Sequence, residues 1–205
     1  AVGNLGTSYL LRGDLPEALR WEKKAAGLNP KNAIPFQIVG WTYRLLGDLS
    51  KAESWLEKSL ELNATSYWDT YELLAYCYVN QGGKQEALSL ITNMLQKVQP
   101  DSRAYEIAGL MAHFAGDKLQ ARKYFQQSIE QNESYYNDPT TISPISLGQI
   151  LLEEGKQVEA EIYLSHALEI NLNEIKNGSL DDDPPFYIAG VYAIRGQREE
   201  ALHWL

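Results

Sequence analysis

Cysteine is all but missing from this chain: Cys77 is the only one in 205 residues. One thiol excludes an intrachain disulfide and any zinc site built on paired thiolates. Histidine is nearly as scarce, and His113, His166 and His203 show no metal-ligand spacing, so no metal site is expected. Long apolar runs are missing too. No window approaches the roughly 18 apolar residues of a membrane-spanning helix, and no leader of charged, apolar and small residues opens the chain. A cytoplasmic protein without a membrane partner is therefore expected. Positive charge is in deficit, with 18 Lys and Arg against 27 Asp and Glu and a net charge of -9. Phosphate backbones need clustered cations, so nucleic acid is not an expected partner. A protein or peptide that is neutral, apolar or basic suits this balance better than an acidic one.

Catalytic patterns are lacking as well. The 15 glycines are scattered instead of clustering ahead of one helix, as a phosphate loop would require. No serine, histidine and acid set stands out. Glu153-Glu154 and Glu199-Glu200 read as solvated charge at helix ends, and Asp181 to Asp183 lacks the alternating ligands and glycine of a calcium loop. Neither an enzyme nor a cofactor is expected. The N-glycosylation tripeptides that begin at Asn63, Asn132 and Asn177 are short matches with no leader to give them a compartment.

What the chain does have is a period. Phe36, Val39, Gly40 and Tyr43 fall on one face of a helix, and after a break at Gly47-Asp48 the residues Ala52, Trp55, Leu56, Ser59 and Leu60 repeat the stripe. Gly40 and Ala52 are small where the two helices would cross, which permits close antiparallel packing. The alanine returns as Ala18, Ala52, Ala87, Ala121, Ala160 and Ala201, at spacings of 34, 35, 34, 39 and 41 residues. Five residues ahead of each alanine stands a glycine: Gly13, Gly47, Gly82, Gly116, Gly155 and Gly196. Four residues after it stand Leu56, Ile91, Phe125, Leu164 and Leu205, but Glu22 breaks the rule in the first copy, where Trp21 is expected to turn inward and fill the gap. Asp14 and Glu17 are spaced like a capping box. Ala112 and Leu151 replace an aromatic found as Tyr9, Tyr43, Tyr78 and Tyr192, which puts local packing in question but not the fold. Extra residues fall at Glu133 to Thr140 and at Asn173 to Asp183, both read as loops between copies.

A helix-turn-helix period near 34 residues resembles the tetratricopeptide repeat. The resemblance implies an all-α fold, a right-handed α-solenoid of antiparallel helix pairs. It implies one array over 1–205 in six units, approximately 1–30, 33–64, 68–100, 102–132, 141–171 and 182–205, the last truncated. Because both ends fall inside helices, the chain is read as a fragment of a longer protein. An array end without a polar capping helix exposes an apolar face, and two such faces are expected to stack into a homodimer.

The family resemblance further implies a concave groove, lined by the first helix of each unit, that holds a peptide or a partner helix. The residues expected there are Trp41, Arg44, Glu72, Tyr76, Arg103, Glu106, Leu110, His113, Phe114 and Gln149. Burial of an exposed large apolar side chain is worth roughly 1.5–3 kcal/mol, so a partner covering Trp41, Tyr76 or Phe114 would gain it. Alanine at Trp41 or Phe114 is expected to weaken binding and leave melting nearly unchanged. Members that grip acidic chaperone tails use Lys, Asn and Arg in this groove. The matching places here hold Gly3, Thr7, Ile38 or Trp41, Asp69 and Leu73, so that clamp is absent. A protein-interaction scaffold is the expected function, and the alternative is a sensor segment of a larger bacterial signalling or transcription-regulatory protein.

Overall fold

The turn inside a helix pair is made by two neighbouring residues. Gly47 takes φ 79°, a left-handed conformation that costs a residue with a Cβ about 1–2 kcal/mol. Its N–H donates to the Arg44 carbonyl, and the Asp48 N–H reaches back to that of Tyr43, each at 3.0 Å. These bonds satisfy the carbonyl end of one helix. The Asp48 carboxylate then accepts from the Lys51 N–H at 3.2 Å and opens the next helix. Asp14 and Asp117 do the same for the N–H groups of Glu17 and Gln120, at 3.3 and 3.0 Å. The capping box expected at Asp14 and Glu17 forms only by half. The Asp14 N–H is already spent on the Tyr9 carbonyl at 2.9 Å, so the Glu17 carboxylate turns to Arg20 and to Trp21 Nε1.

The computed structural model describes residues 2–63, 68–97, 100–132, 142–178 and 183–205, and every regular element among them is an α-helix. One compact unit comprises Ala1–Gln99 with Phe114–Gly116. It holds α1 (Val2–Leu11), α2 (Leu15–Leu28), α3 (Ala33–Leu45), α4 (Leu49–Leu62), α5 (Trp68–Asn80) and α6 (Lys84–Lys97), each packed on its predecessor. The other unit comprises Pro100–His113 with Asp117–Leu205. It holds most of α7 (Ser102–Ala115), then α8 (Lys118–Gln131), α9 (Ser143–Glu153), α10 (Gln157–Lys176), α11 (Asp183–Ile194) and α12 (Arg198–His203). From α9 onward each helix packs on the one before it, and Gly109 of α7 meets Phe125 of α8. Each unit is thus a stack of helix pairs, the α-solenoid class. Asn173 to Lys176 continue α10 instead of forming a loop, because no breaker occurs before Asn177-Gly178. Glu133 to Thr140, Asp181 and Asp182 lie outside the described residues, as do Thr65, Ser134 and Ser179 of the glycosylation tripeptides.

Close crossing of paired helices is enforced by missing side chains. A Cβ on Gly40 would lie 2.6 Å from Leu56 Cγ, one on Gly148 2.6 Å from Leu164 Cγ, and one on Gly109 2.5 Å from the Phe125 ring. Ala18, Ala52, Ala87, Ala121 and Ala160 are fully buried, as are Leu56, Ile91, Phe125 and Leu164. Ala112 and Leu151, in the places of aromatics, are sealed as well. In the first pair Glu22 fills the position itself, fully buried, while Trp21 stays half-buried. The expected inward turn of Trp21 does not occur, because Gly6 leaves room for the Glu22 stem at 2.5 Å from where a Cβ would sit.

These crossings give a contrast of sign. Gly109→Ala gains about 1 kcal/mol of helix propensity but drives a methyl into a fully buried ring, at about 1–3 kcal/mol. A net loss of about 1 kcal/mol is expected in urea unfolding. Gly27→Ala, on α2 with nothing within 4 Å of the new methyl, keeps only the gain and should raise the midpoint. Equal shifts of one sign would show that crowding is not what selects glycine at 109.

Candidate functional site

The first unit contains a hollow of 340 Å³ between α3 and α5, lined by Gln37, Trp41 and Arg44 from one and by Asp69, Glu72, Leu73 and Tyr76 from the other. Steps of four and three along α3, and of three, one and three along α5, set each group on one helical face. The walls differ in character. Gln37 and Leu73 are each 9 % exposed and form the floor, Asp69 is exposed, and Trp41, Arg44, Glu72 and Tyr76 are half-buried. Two carboxylates against one guanidinium leave the mouth acidic. Below it, Cys77 is fully buried and its thiol is pushed up to about 11 by burial, so it is packing and not a nucleophile.

Four of the expected groove residues, Trp41, Arg44, Glu72 and Tyr76, therefore meet around one hollow. Gln37 and Leu73 join them, legible only as neighbours in register with Trp41 and Tyr76. Trp41 also packs on two apolar clusters, that of Leu10, Ala18 and Ile38 and that of Ala52, Leu56, Leu73, Leu74 and Cys77. Its removal would disturb both, so Trp41→Ala is expected to lower the melting temperature instead of leaving it unchanged. Phe114, 38 % exposed and grouped with the first unit, has its ring 5.9 Å from that of Tyr76.

The remaining expected residues do not line the hollow. Arg103 is exposed, His113 is half-buried, and Gln149 donates to Glu153 Oε1 at 3.1 Å. Leu110 is 9 % and Glu106 only 4 % exposed. Glu106 is turned inward: its Oε2 accepts from the N–H groups of Ile142 and Ser143 at 2.8 and 3.0 Å, and its Oε1 from Arg103 at 2.6 Å. That carboxylate caps α9 and is not open to a ligand. Among the described residues no three His, Cys, Asp or Glu side chains come together as a metal site. Nor is any helix among them long and apolar enough to cross a membrane.

Family models described as tetratricopeptide repeat match residues 36–66 and 1–21. Compared by sequence with proteins of curated function, the chain has no match. Among solved structures it resembles YrrB, described as a tetratricopeptide-repeat protein with an unusual peptide-binding site, at 23 % identity, TM-score 0.56, over 89 % of this chain and 88 % of that one. PilF of Pseudomonas aeruginosa matches at 19 % identity, TM-score 0.70, over 99 % of this chain and 86 % of that one. MamA of Desulfovibrio magneticus matches at 19 % identity, TM-score 0.65, over 87 % of this chain and 96 % of that one. At such identities these likenesses speak for the fold. The two family matches mark residues 1–21 and 36–66 as tetratricopeptide repeats, and the Gly and Ala positions of those segments recur along the rest of the chain.

Proposed function

We propose that the chain is a protein-interaction scaffold that takes a peptide or partner helix at the hollow between α3 and α5. The observation that carries this reading is the hollow itself: 340 Å³, with Trp41 and Tyr76 as apolar walls and Asp69 and Glu72 at the mouth. Such a site gains from covering half-exposed rings and repels a carboxylate more than it attracts one. The ligand is a neutral, apolar or basic segment. Arrays of this repeat are scaffolds and not catalysts, and the peptide site named for YrrB lends the reading support by analogy of fold.

Selection from a random peptide library on the immobilised protein tests it. Enriched peptides should be apolar or basic, and Tyr76→Ala and Glu72→Gln should each weaken them about tenfold, near 1.4 kcal/mol. Tyr76 is the better probe than Trp41, whose ring is shared with the core. Enrichment of acidic sequences, or of binders indifferent to both substitutions, would overturn the assignment.

A further inference from the structure

We propose that the flank formed by α2 and the start of α4 is a second docking surface, one that takes an acidic peptide segment. Charge along the chain is lopsided. Residues 1–62 carry 8 Lys and Arg against 7 Asp and Glu, and residues 63–205 carry 10 against 20. Of the seven acids in the first stretch, Glu22 is buried between α1 and α2. The cations gather where aromatic rings hold them. Lys23 Nζ donates to Tyr43 Oη at 2.6 Å, and it stands 4.9 Å from the centre of the Tyr43 ring and 5.9 Å from that of Trp55. Lys51 Nζ also stands over the Tyr43 ring, 5.4 Å from its centre. Arg20 and Lys24 lie 5.5 and 5.1 Å from the Trp21 ring.

The acids on this flank are spent. Glu17 pairs with Arg20, and Asp48 with Lys51. Among the described residues no ion pair involves Lys23 or Lys24, and both are exposed. Four cations against two paired carboxylates leave the flank positive in a chain of net charge -9. An ammonium has three donors; Lys23 spends one on Tyr43 and keeps two for an incoming carboxylate. The rings also pre-order the cations, which lowers the entropy lost when an anion is bound. Glu53 and Glu57 are engaged elsewhere, with Gln81 and Tyr78. The surface thus has the charge sign opposite to that of the α3/α5 hollow, and the proposal stands or falls separately from it.

A fluorescein-labelled peptide of Glu and Asp residues around one Phe, with an equivalent Lys peptide for comparison, tests this by anisotropy at about 20 and 150 mM salt. The acidic peptide should bind and the basic one should not bind at this flank. Lys24→Glu, which leaves the contacts of Lys23 intact, should weaken binding at least fivefold, and Lys23→Glu with Lys24→Glu more than twentyfold. Lys84→Glu, on α6, and Tyr76→Ala should leave it unchanged. Melting curves identify a double variant that has lost its fold, in which case Lys24→Glu alone decides. Absence of binding to the native chain, indifference to Lys24→Glu, or displacement by a single-stranded RNA homopolymer at lower concentration than by unlabelled peptide would each overturn the proposal.

Discussion

Glu106→Ala should lower the unfolding free energy by about 3 kcal/mol, a loss on the scale of the largest for a side chain that touches no ligand. The helix α9 starts at Ser143 after Ile142, which has no side-chain cap of its own. The first N–H groups of any helix lack partners within it. Here Glu106, from α7, supplies them across 36 and 37 residues of sequence, at 2.8 and 3.0 Å. The negative carboxylate also sits at the positive end of the α9 dipole. Removing it leaves two shielded N–H groups without an acceptor, each at about 1–3 kcal/mol, offset in part because a buried charge is removed with it. The Ser143 hydroxyl suffers least, since Ser128 Oγ lies 2.8 Å away as an alternative. Glu106→Gln keeps an oxygen for the two N–H groups and loses chiefly the pair with Arg103, whose side chain is 44 % exposed, so about 1 kcal/mol is expected. Urea unfolding at constant m-value measures both. An alanine variant with the native midpoint would mean that water caps α9 equally well.

Glu106 also marks where sequence reading stops. Its place on α7 and its charge suggested a groove acid, because helical register gives the face of a residue but not what the following pair brings to that face. The partner here is the backbone of a helix that starts beyond an insertion. By contrast, the Gly47-Asp48 turn was legible, since its φ, its carbonyl cap and its side-chain cap are all decided within a few residues. The Gly40 and Ala52 crossing was legible for the same reason, two small residues at a fixed spacing. The α3/α5 hollow was half legible. Trp41 and Tyr76 follow from register, but the double packing of Trp41 against two clusters depends on the helix pairs on either side. The end of α10 was not legible, because extra length between copies does not by itself make a loop and Asn173 to Lys176 contain nothing that stops a helix.

Glu22→Gln should stabilise the first helix pair by about 3 kcal/mol at pH 8 and hardly at all at pH 4. Glu22 is fully buried where the other copies hold Leu56, Ile91, Phe125 or Leu164. Burial raises its pKa from 4.5 to about 7, against the smaller opposing pull of hydrogen bonds from Thr7. Oε1 accepts from the Thr7 hydroxyl at 3.2 Å, while Oε2 is buried without a hydrogen-bond partner. The other titratable groups of the helices packed on α2, Tyr9 and Arg12 on α1 and Tyr43 and Arg44 on α3, contribute nothing to the shift. Between pH 4.5 and 7 the folded state holds a proton that the unfolded state has released, so stability falls as pH rises. Below 4.5 both states are protonated and the penalty vanishes; above 7 both are ionised and it levels off. At about 1.4 kcal/mol per pKa unit the plateau lies near 3 kcal/mol. Other carboxylates impose their own pH dependence, so the informative quantity is the difference between the native chain and the Glu22→Gln variant, read from urea unfolding and from hydrogen exchange of the α1 amides. Glu22→Leu should show the same trend, less about 1 kcal/mol for the Thr7 hydroxyl left without this acceptor. If native and variant curves run parallel from pH 4 to 8, the carboxyl titrates in contact with water and α1 is not held by a proton.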